Sequence, residues 1–280
     1  MKNPNLISRR SFMGFLAASP MAAVAHSKPI PVGVELYSVR NELKKDVMQT
    51  VRAVAGMGFQ CVEFYAPYYS WTPNYARQVR AEMDQLGIRC YSTHNGMTSF
   101  SSEGMDKAVE LNKILGTHYV VLADTGKITG LADWKHVVKT LNTGSKQLRK
   151  HGLRTGINNH REIEWIPIEG QRPVDVLATG LDKSIMLQLD VGGCLATGND
   201  PVAWINSNPG RIRSMHIKDW SPEKKFKLLT GEGIAPWKQI FAAAEKTGGI
   251  EFYLIEQEAS EYSELETVEK CLAAFRKLHG

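Results

Sequence analysis

From Pro31 onward the chain alternates eight times between a short apolar run rich in β-branched residues and a longer run with apolar residues at helical spacing. The strand-like runs are Pro31–Tyr37, Cys61–Tyr65, Ile88–Ser92, Tyr119–Leu122, Arg154–Ile157, Ile185–Leu189, Ile212–Ile217 and Phe252–Ile255. Helical patterns cover Leu43–Met57, Tyr75–Leu86, Met105–Leu115, Trp134–Lys150, Val174–Leu177, Pro201–Asn206 and Trp237–Lys246, and Leu265–Leu278 closes the chain. The strands are apolar on both faces, as parallel strands covered by helices must be. Helices end at glycine in patterns such as Leu86-Gly87-Ile88 and Leu115-Gly116-Thr117, where a left-handed cap turns the chain into the next strand. Eight such units predict an α/β fold closed into a (β/α)8 barrel. No glycine-rich dinucleotide fingerprint follows the first strand, which argues against an open doubly wound sheet. The 280 residues, 43% hydrophobic, supply one barrel-sized domain, and no linker splits residues 26–280.

The first 25 residues read as a leader rather than as fold. Ser8-Arg9-Arg10-Ser11-Phe12-Met13 is a twin-arginine pattern, and Gly14–Ala25 is an apolar run too short to span a bilayer and interrupted by Ser19-Pro20. Ala23-Val24-Ala25 offers small side chains for a signal peptidase. The alternative is a basic N-terminus beside a weakly apolar helix. The export reading predicts passage through the twin-arginine machinery and a periplasmic location. Net charge is +5, falling to about +2 without Lys2, Arg9 and Arg10, a balance that does not suggest nucleic-acid binding. No later run is long enough for a membrane helix, so stable membrane insertion is not expected. Cys61, Cys90, Cys194 and Cys271 form no C-x-x-C pair; buried free thiols are expected, with a Cys61–Cys90 disulfide as the alternative.

In such a barrel, reactive side chains collect where strands end. Here those positions carry Glu63, then His94 and Asn95, Asn158 and His160, Asp190, His216 with Lys218 and Asp219, and Glu256 with Glu258. Asp190, His216 and Glu256 end three consecutive strands. Two carboxylates and one imidazole suit Mn2+, Co2+, Mg2+ or Zn2+ with open positions. A cation there can hold two vicinal sugar oxygens and stabilise an enediolate. Each residue also has a structural reading: Asp190 as a helix cap, His216 as a satisfied core histidine, Glu256 as the partner of Lys218. Other rim residues carry paired readings too. His94 could donate to a sugar oxygen, act as acid–base, or cap. Lys218 could stabilise oxyanion charge or bridge to Asp219 or Glu256. Glu232 could orient Lys218, bind hydroxyls, or cap the helix near Trp237. Glu63 could line the pocket floor. Tyr65, Tyr68, Tyr69 and Trp71 could stack on a sugar face or pack a loop, and Trp165 and Trp220 divide the same way.

Leu36-Tyr37-Ser38-Val39-Arg40, Asn159-His160, Leu189-Asp190-Val191-Gly192, Met215-His216-Ile217-Lys218-Asp219, Gly231-Glu232-Gly233 and Ile255-Glu256-Gln257-Glu258 together resemble the sugar-phosphate isomerase/epimerase family of xylose-isomerase-like TIM barrels. The resemblance spans nearly all of the chain after the leader, in the family's order. It implies metal ligands from strands 5 to 8 and carries the last three onto Asp190, His216 and Glu256. At strand 5 this chain has Asn158 where relatives carry Glu, or His in a His-Asn-His motif. His160 is then the candidate fourth ligand or a catalytic or substrate contact, with Glu162 and Glu164 as further candidates from the next loop. Relatives that epimerise use two glutamates, one on each face of the substrate carbon; Asn158 shifts the expectation toward one-base isomerisation, elimination or hydration. The expected catalytic set is Glu256, His160, Lys218 and His94, with Glu63, Asn158, Glu232, Trp220 and Tyr65 on the substrate. The leading reading is thus a metal-dependent enzyme moving a proton next to the carbonyl of a non-phosphorylated sugar or keto-sugar, since an exported protein seldom meets sugar phosphates. The alternatives are a lyase or hydrolase of 3-keto-glycosides and a non-catalytic sugar-binding barrel. Modest charge and export disfavour a DNA-repair endonuclease, a related barrel.

Overall fold

The computed structural model describes residues 29–280. The expected leader, residues 1–25, lies outside the described residues. The eight parallel strands are β1 (Val32–Glu35), β2 (Cys61–Phe64), β3 (Arg89–Gly96), β4 (Tyr119–Asp124), β5 (Arg154–Asn159), β6 (Met186–Asp190), β7 (Ser214–Ile217) and β8 (Phe252–Ile255). They pair in chain order, and β8 returns to β1, closing the barrel that the alternation predicts.

Local chemistry explains where the elements begin and end. Thr72 caps the helix Pro73–Leu86 through its hydroxyl, which accepts from the Tyr75 N–H at 3.2 Å, and Gly87 ends it at φ +70°. The pattern read as one helix over Leu43–Met57 is two helices, Arg40–Lys45 and Val47–Gly56. Asp46 is extended and caps the second by accepting from the Gln49 N–H at 3.0 Å. β3 runs beyond Ser92 to Gly96, so His94 and Asn95 are strand residues rather than loop residues. The last helical pattern before β8 is an α-helix over Trp237–Ala243 that widens into a π turn, Ala244–Gly248.

Cys61, Tyr119, Val121, Met186, Phe252 and Leu254 form a buried cluster of their own. Along their strands they alternate with Val62, Val120, Leu122, Leu187, Tyr253 and Ile255, which belong to the larger core. Alternation assigns the first set to the inside of the barrel and the second to the layer under the helices. The barrel interior is therefore filled by these side chains. The same division separates Cys61 from Cys90; all four cysteines are buried and free, and the disulfide alternative is excluded. No helix among the described residues is long and apolar enough to cross a membrane.

Candidate functional site

Register places side chains of different strands at one level. Glu35 pairs with Glu63 across β1 and β2, and Val34 pairs with Ile255, so Glu35 also neighbours Glu256. Glu63 is fully buried and sits below the pocket instead of lining it, which corrects its expected place on the substrate. Its Oε2 lies 3.0 Å from His94 Nε2 and 2.9 Å from His216 Nε2, and its Oε1 accepts from Gln188 Nε2 at 3.0 Å. Burial opposes ionisation of Glu63, but the two imidazoles outweigh it and hold the carboxyl below its ordinary range. One buried carboxylate thus receives the Nε2 atoms of both histidines, which leaves His94 Nδ1 on the side of Glu35 and His216 Nδ1 on the side of Glu256.

Asp190, His216 and Glu256 also converge, each with a ligand atom within 4.8 Å of the others. Asp190 ends β6 and also caps the helix Val191–Ala196, its Oδ1 accepting from the Gly193 N–H at 2.7 Å. The capping reading and the cluster reading hold together, because the two oxygens do different things. His216 Nδ1 and Glu256 Oε2 approach to 2.6 Å, yet both are buried without a hydrogen bond of acceptable geometry. Burial opposes protonation of His216, but Glu256 and Glu63 on either side favour the protonated ring and raise its pKa well above the ordinary value. Nδ1 therefore becomes a ligand atom only on losing its proton; with Glu256 and Asp190 beside it, it then completes a donor set suited to a divalent cation. Lys218 enters the same cluster. Its Nζ donates to Asp190 Oδ2 at 3.2 Å, to Glu256 Oε1 at 3.5 Å, and to Glu258. The expected ion pair with Glu256 is present, and Asp219 is not its partner. Although burial would strip Lys218 of its proton, the three carboxylates raise its pKa well above the ordinary value. Burial pushes Asp190 up even with that ammonium beside it, whereas burial of Glu256 is outweighed by Lys218 and His216, which pull it well down.

Above this cluster opens a cavity of about 300 Å³, lined by Glu35, Tyr37, Tyr65, His94, Asn95, Asp124, Asn158, His160, Glu256 and Glu258, with Ala66 and Ala123. Glu256 is the one member of the trio on its wall; Asp190 and His216 lie beneath. His160 is not part of that close trio and lines the cavity. Burial pushes its pKa down to about 3, so it is a neutral imidazole with a buried, unpaired Nδ1. Asn158 Oδ1 is likewise buried and unpaired. Tyr37 and Tyr65 meet edge to face at 5.3 Å and form the aromatic part of the mouth.

Several expected residues lie elsewhere. Glu232 is exposed and closes its own loop, accepting from the Leu229 N–H at 2.9 Å. Trp220 is half-buried away from the cavity, under the Lys225 ammonium. Tyr68 and Trp71 pack against each other, and Trp165 packs on Trp204. Glu162 is exposed, and Glu164 is buried but not in the cluster. The Lys-Asp and Gly-Glu-Gly motifs are joined by Asp219. Its carboxylate accepts from the backbone of Trp220, Gly231, Gly233 and Ala235 and from the Trp237 indole. A Cβ on Gly233 would fall 2.2 Å from Asp219 Oδ1, so only glycine fits there. Sequence reasoning passed over Glu35, which reads as the interior of an apolar run, and Gln188, whose one signal is a polar residue inside Ile185–Leu189.

A family model described as xylose isomerase-like TIM barrel matches residues 51–278. Among solved structures, a sugar phosphate isomerase/epimerase from Parabacteroides distasonis superposes with a TM-score of 0.75 at 22% identity, covering 92% of this chain and 98% of that one. The IOLI protein with a bound zinc atom gives 0.68 at 15% identity, covering 89% of this chain and 98% of that one. The apo form of 3-keto-D-glucoside 4-epimerase from E. coli gives 0.68 at 13% identity, covering 89% of this chain and 100% of that one. At these identities the likeness is one of fold. No curated protein sequence matches the chain.

Proposed function

This chain belongs to the xylose isomerase-like TIM barrels, and from that premise we propose that it is a divalent-metal-dependent sugar isomerase or epimerase moving a proton next to a carbonyl. The observation that carries the reading is the convergence of Asp190, His216 and Glu256 beneath the cavity, with His216 Nδ1 and Glu256 Oε2 unpaired. Those three residues would hold the cation, which supplies Lewis acidity toward vicinal sugar oxygens. Glu256 is ionised and reaches the cavity, so it is the proton acceptor of this reading. The Lys218 ammonium beside it holds positive charge against a developing oxyanion. His160 and Asn158 offer unpaired acceptors to sugar hydroxyls, His94 offers Nδ1, and Tyr65 offers a ring to an apolar sugar face.

The substrate of this proposal is a free sugar or keto-sugar. Among the described residues the cavity is lined by Glu35, Asp124, Glu256 and Glu258 and by no lysine or arginine, a poor setting for a phosphate. The twin-arginine pattern at Ser8–Met13, read as an export leader, favours the same choice, because an exported enzyme seldom meets sugar phosphates. Strand 5 presents Asn158 and no carboxylate, which favours one base over two.

Proton transfer is tested with D-fructose and 3-keto-D-glucose in deuterated water with added Mn2+. The reading expects deuterium at the carbon beside the carbonyl, and none after chelation. Aglycone release from a 3-keto-glycoside without such exchange would select the lyase or hydrolase instead. A second reading, a metal-free sugar-binding barrel, draws on Lys218, whose ammonium already stands between Asp190 and Glu256. Sugar binding by a metal-free protein that catalyses no exchange would select it.

A further inference from the structure

Two polar atoms of residues on the cavity wall, Glu35 Oε1 and His94 Nδ1, stand 3.9 Å apart, and the carboxyl oxygen is buried without a hydrogen-bond partner. That separation is too long for a hydrogen bond between them, but an oxygen at about 2.8 Å from both would bond to each. Neither group is free to turn away. Glu35 Oε2 accepts from the Tyr37 N–H at 2.8 Å, and His94 Nε2 is committed to Glu63 and Gln188, each at 3.0 Å. Both side chains line the cavity, and the Glu35 residue is 1% exposed.

We propose that Glu35 and His94 form a subsite for one hydroxyl group of the sugar, distinct from the oxygens above Asp190, His216 and Glu256. A hydroxyl both donates and accepts, so it satisfies a carboxyl oxygen and an imidazole nitrogen whichever of them carries the proton. A phosphate or carboxylate is the wrong guest, since Glu256 and Glu63 flank Glu35 on the neighbouring strands. The pair stands on β1 and β3, whereas the trio stands at the ends of β6, β7 and β8, so the held hydroxyl fixes the orientation of the ring. A site built to pair a hydroxyl rejects the analogue lacking it, because its own buried groups are then left unpaired. This proposal rests on the sugar-site reading above.

The test is calorimetric titration of wild-type, Glu35→Gln and Glu35→Leu proteins with D-fructose, D-glucose and 3-keto-D-glucose, followed by monodeoxy analogues of the tightest binder. Glu35→Leu should weaken binding by about tenfold or more, and Glu35→Gln, which keeps the shape and the backbone contact, should stay within about threefold of wild type. One deoxy analogue should bind wild type and Glu35→Leu equally, while the others keep the full difference. The same loss with every analogue would reduce Glu35 to a structural role and overturn the subsite. Unchanged sugar binding in Glu35→Leu would overturn the subsite and leave the sugar reading standing. No sugar binding to wild type would overturn both.

Discussion

His216 is held by Glu63 from below: its Nε2 lies 2.9 Å from Glu63 Oε2, which leaves Nδ1 pointing at Glu256. The carboxylate–imidazole contact decides which nitrogen is offered to a cation, and the same oxygen serves His94. Glu63→Leu should therefore weaken metal affinity by about 10- to 100-fold without touching a ligand. It should also lower the melting temperature, since two buried imidazoles and Gln188 lose their partner. Metal competition against a chromophoric chelator, with a thermal melt of the same sample, checks both. Unchanged affinity would show that His216 is oriented by other contacts.

Lys218 is a buried positive charge shared by Asp190, Glu256 and Glu258. Lys218→Met leaves buried carboxylates uncompensated, a loss on the order of 3–5 kcal/mol. In chelator the variant should melt well below wild type. Mn2+ should raise its melting temperature more than it raises that of wild type, because the added cation replaces the missing charge. Equal metal responses in the two proteins would separate Lys218 from the metal cluster.

Glu164 gives the fold a pH dependence of defined sign. Burial pushes its carboxyl from 4.5 up to about 8, with only partial relief from Arg161. Between those values the folded chain keeps a proton that the unfolded chain has released. Its contribution to stability is therefore complete below about pH 4.5 and is lost as pH rises through about 8. Glu164→Gln keeps the shape and the contact to the Arg161 N–H and removes the titration. The variant should show a smaller fall in melting temperature from pH 5 to pH 8 than wild type, and a slope as steep as wild type would assign the effect to other groups.

The barrel was legible because its signal is repeated: each apolar run is short, each helical run has its own period, and glycines such as Gly87 and Gly116 mark the returns. The trio was legible for a related reason, since consecutive parallel strands bring their ends to one rim. What sequence could not show is depth. Glu63 lies within β2 and Glu256 one residue past β8; one sits under the histidines and the other reaches the cavity, a difference that residue type does not announce. His160 is the histidine that remains of the strand-5 motif; it falls one residue past the end of β5 and faces the cavity, a placement that the motif does not reveal. Glu232 drew attention as the charged residue of its loop. The organising residue is Asp219, whose partners are mostly backbone N–H groups that no side-chain pattern reveals. Glu35 was hidden because a run of apolar neighbours makes its strand look like core.

The most direct measurement is the metal content of the protein purified without chelator and reconstituted with Mn2+, Co2+, Mg2+ or Zn2+, compared with Asp190→Ala and His216→Ala. A cation gripped by the ends of β6, β7 and β8 predicts about one ion per folded wild-type chain and loss of that ion in both variants. A wild-type chain that takes up no ion, or variants that retain it at the same stoichiometry, would contradict the account.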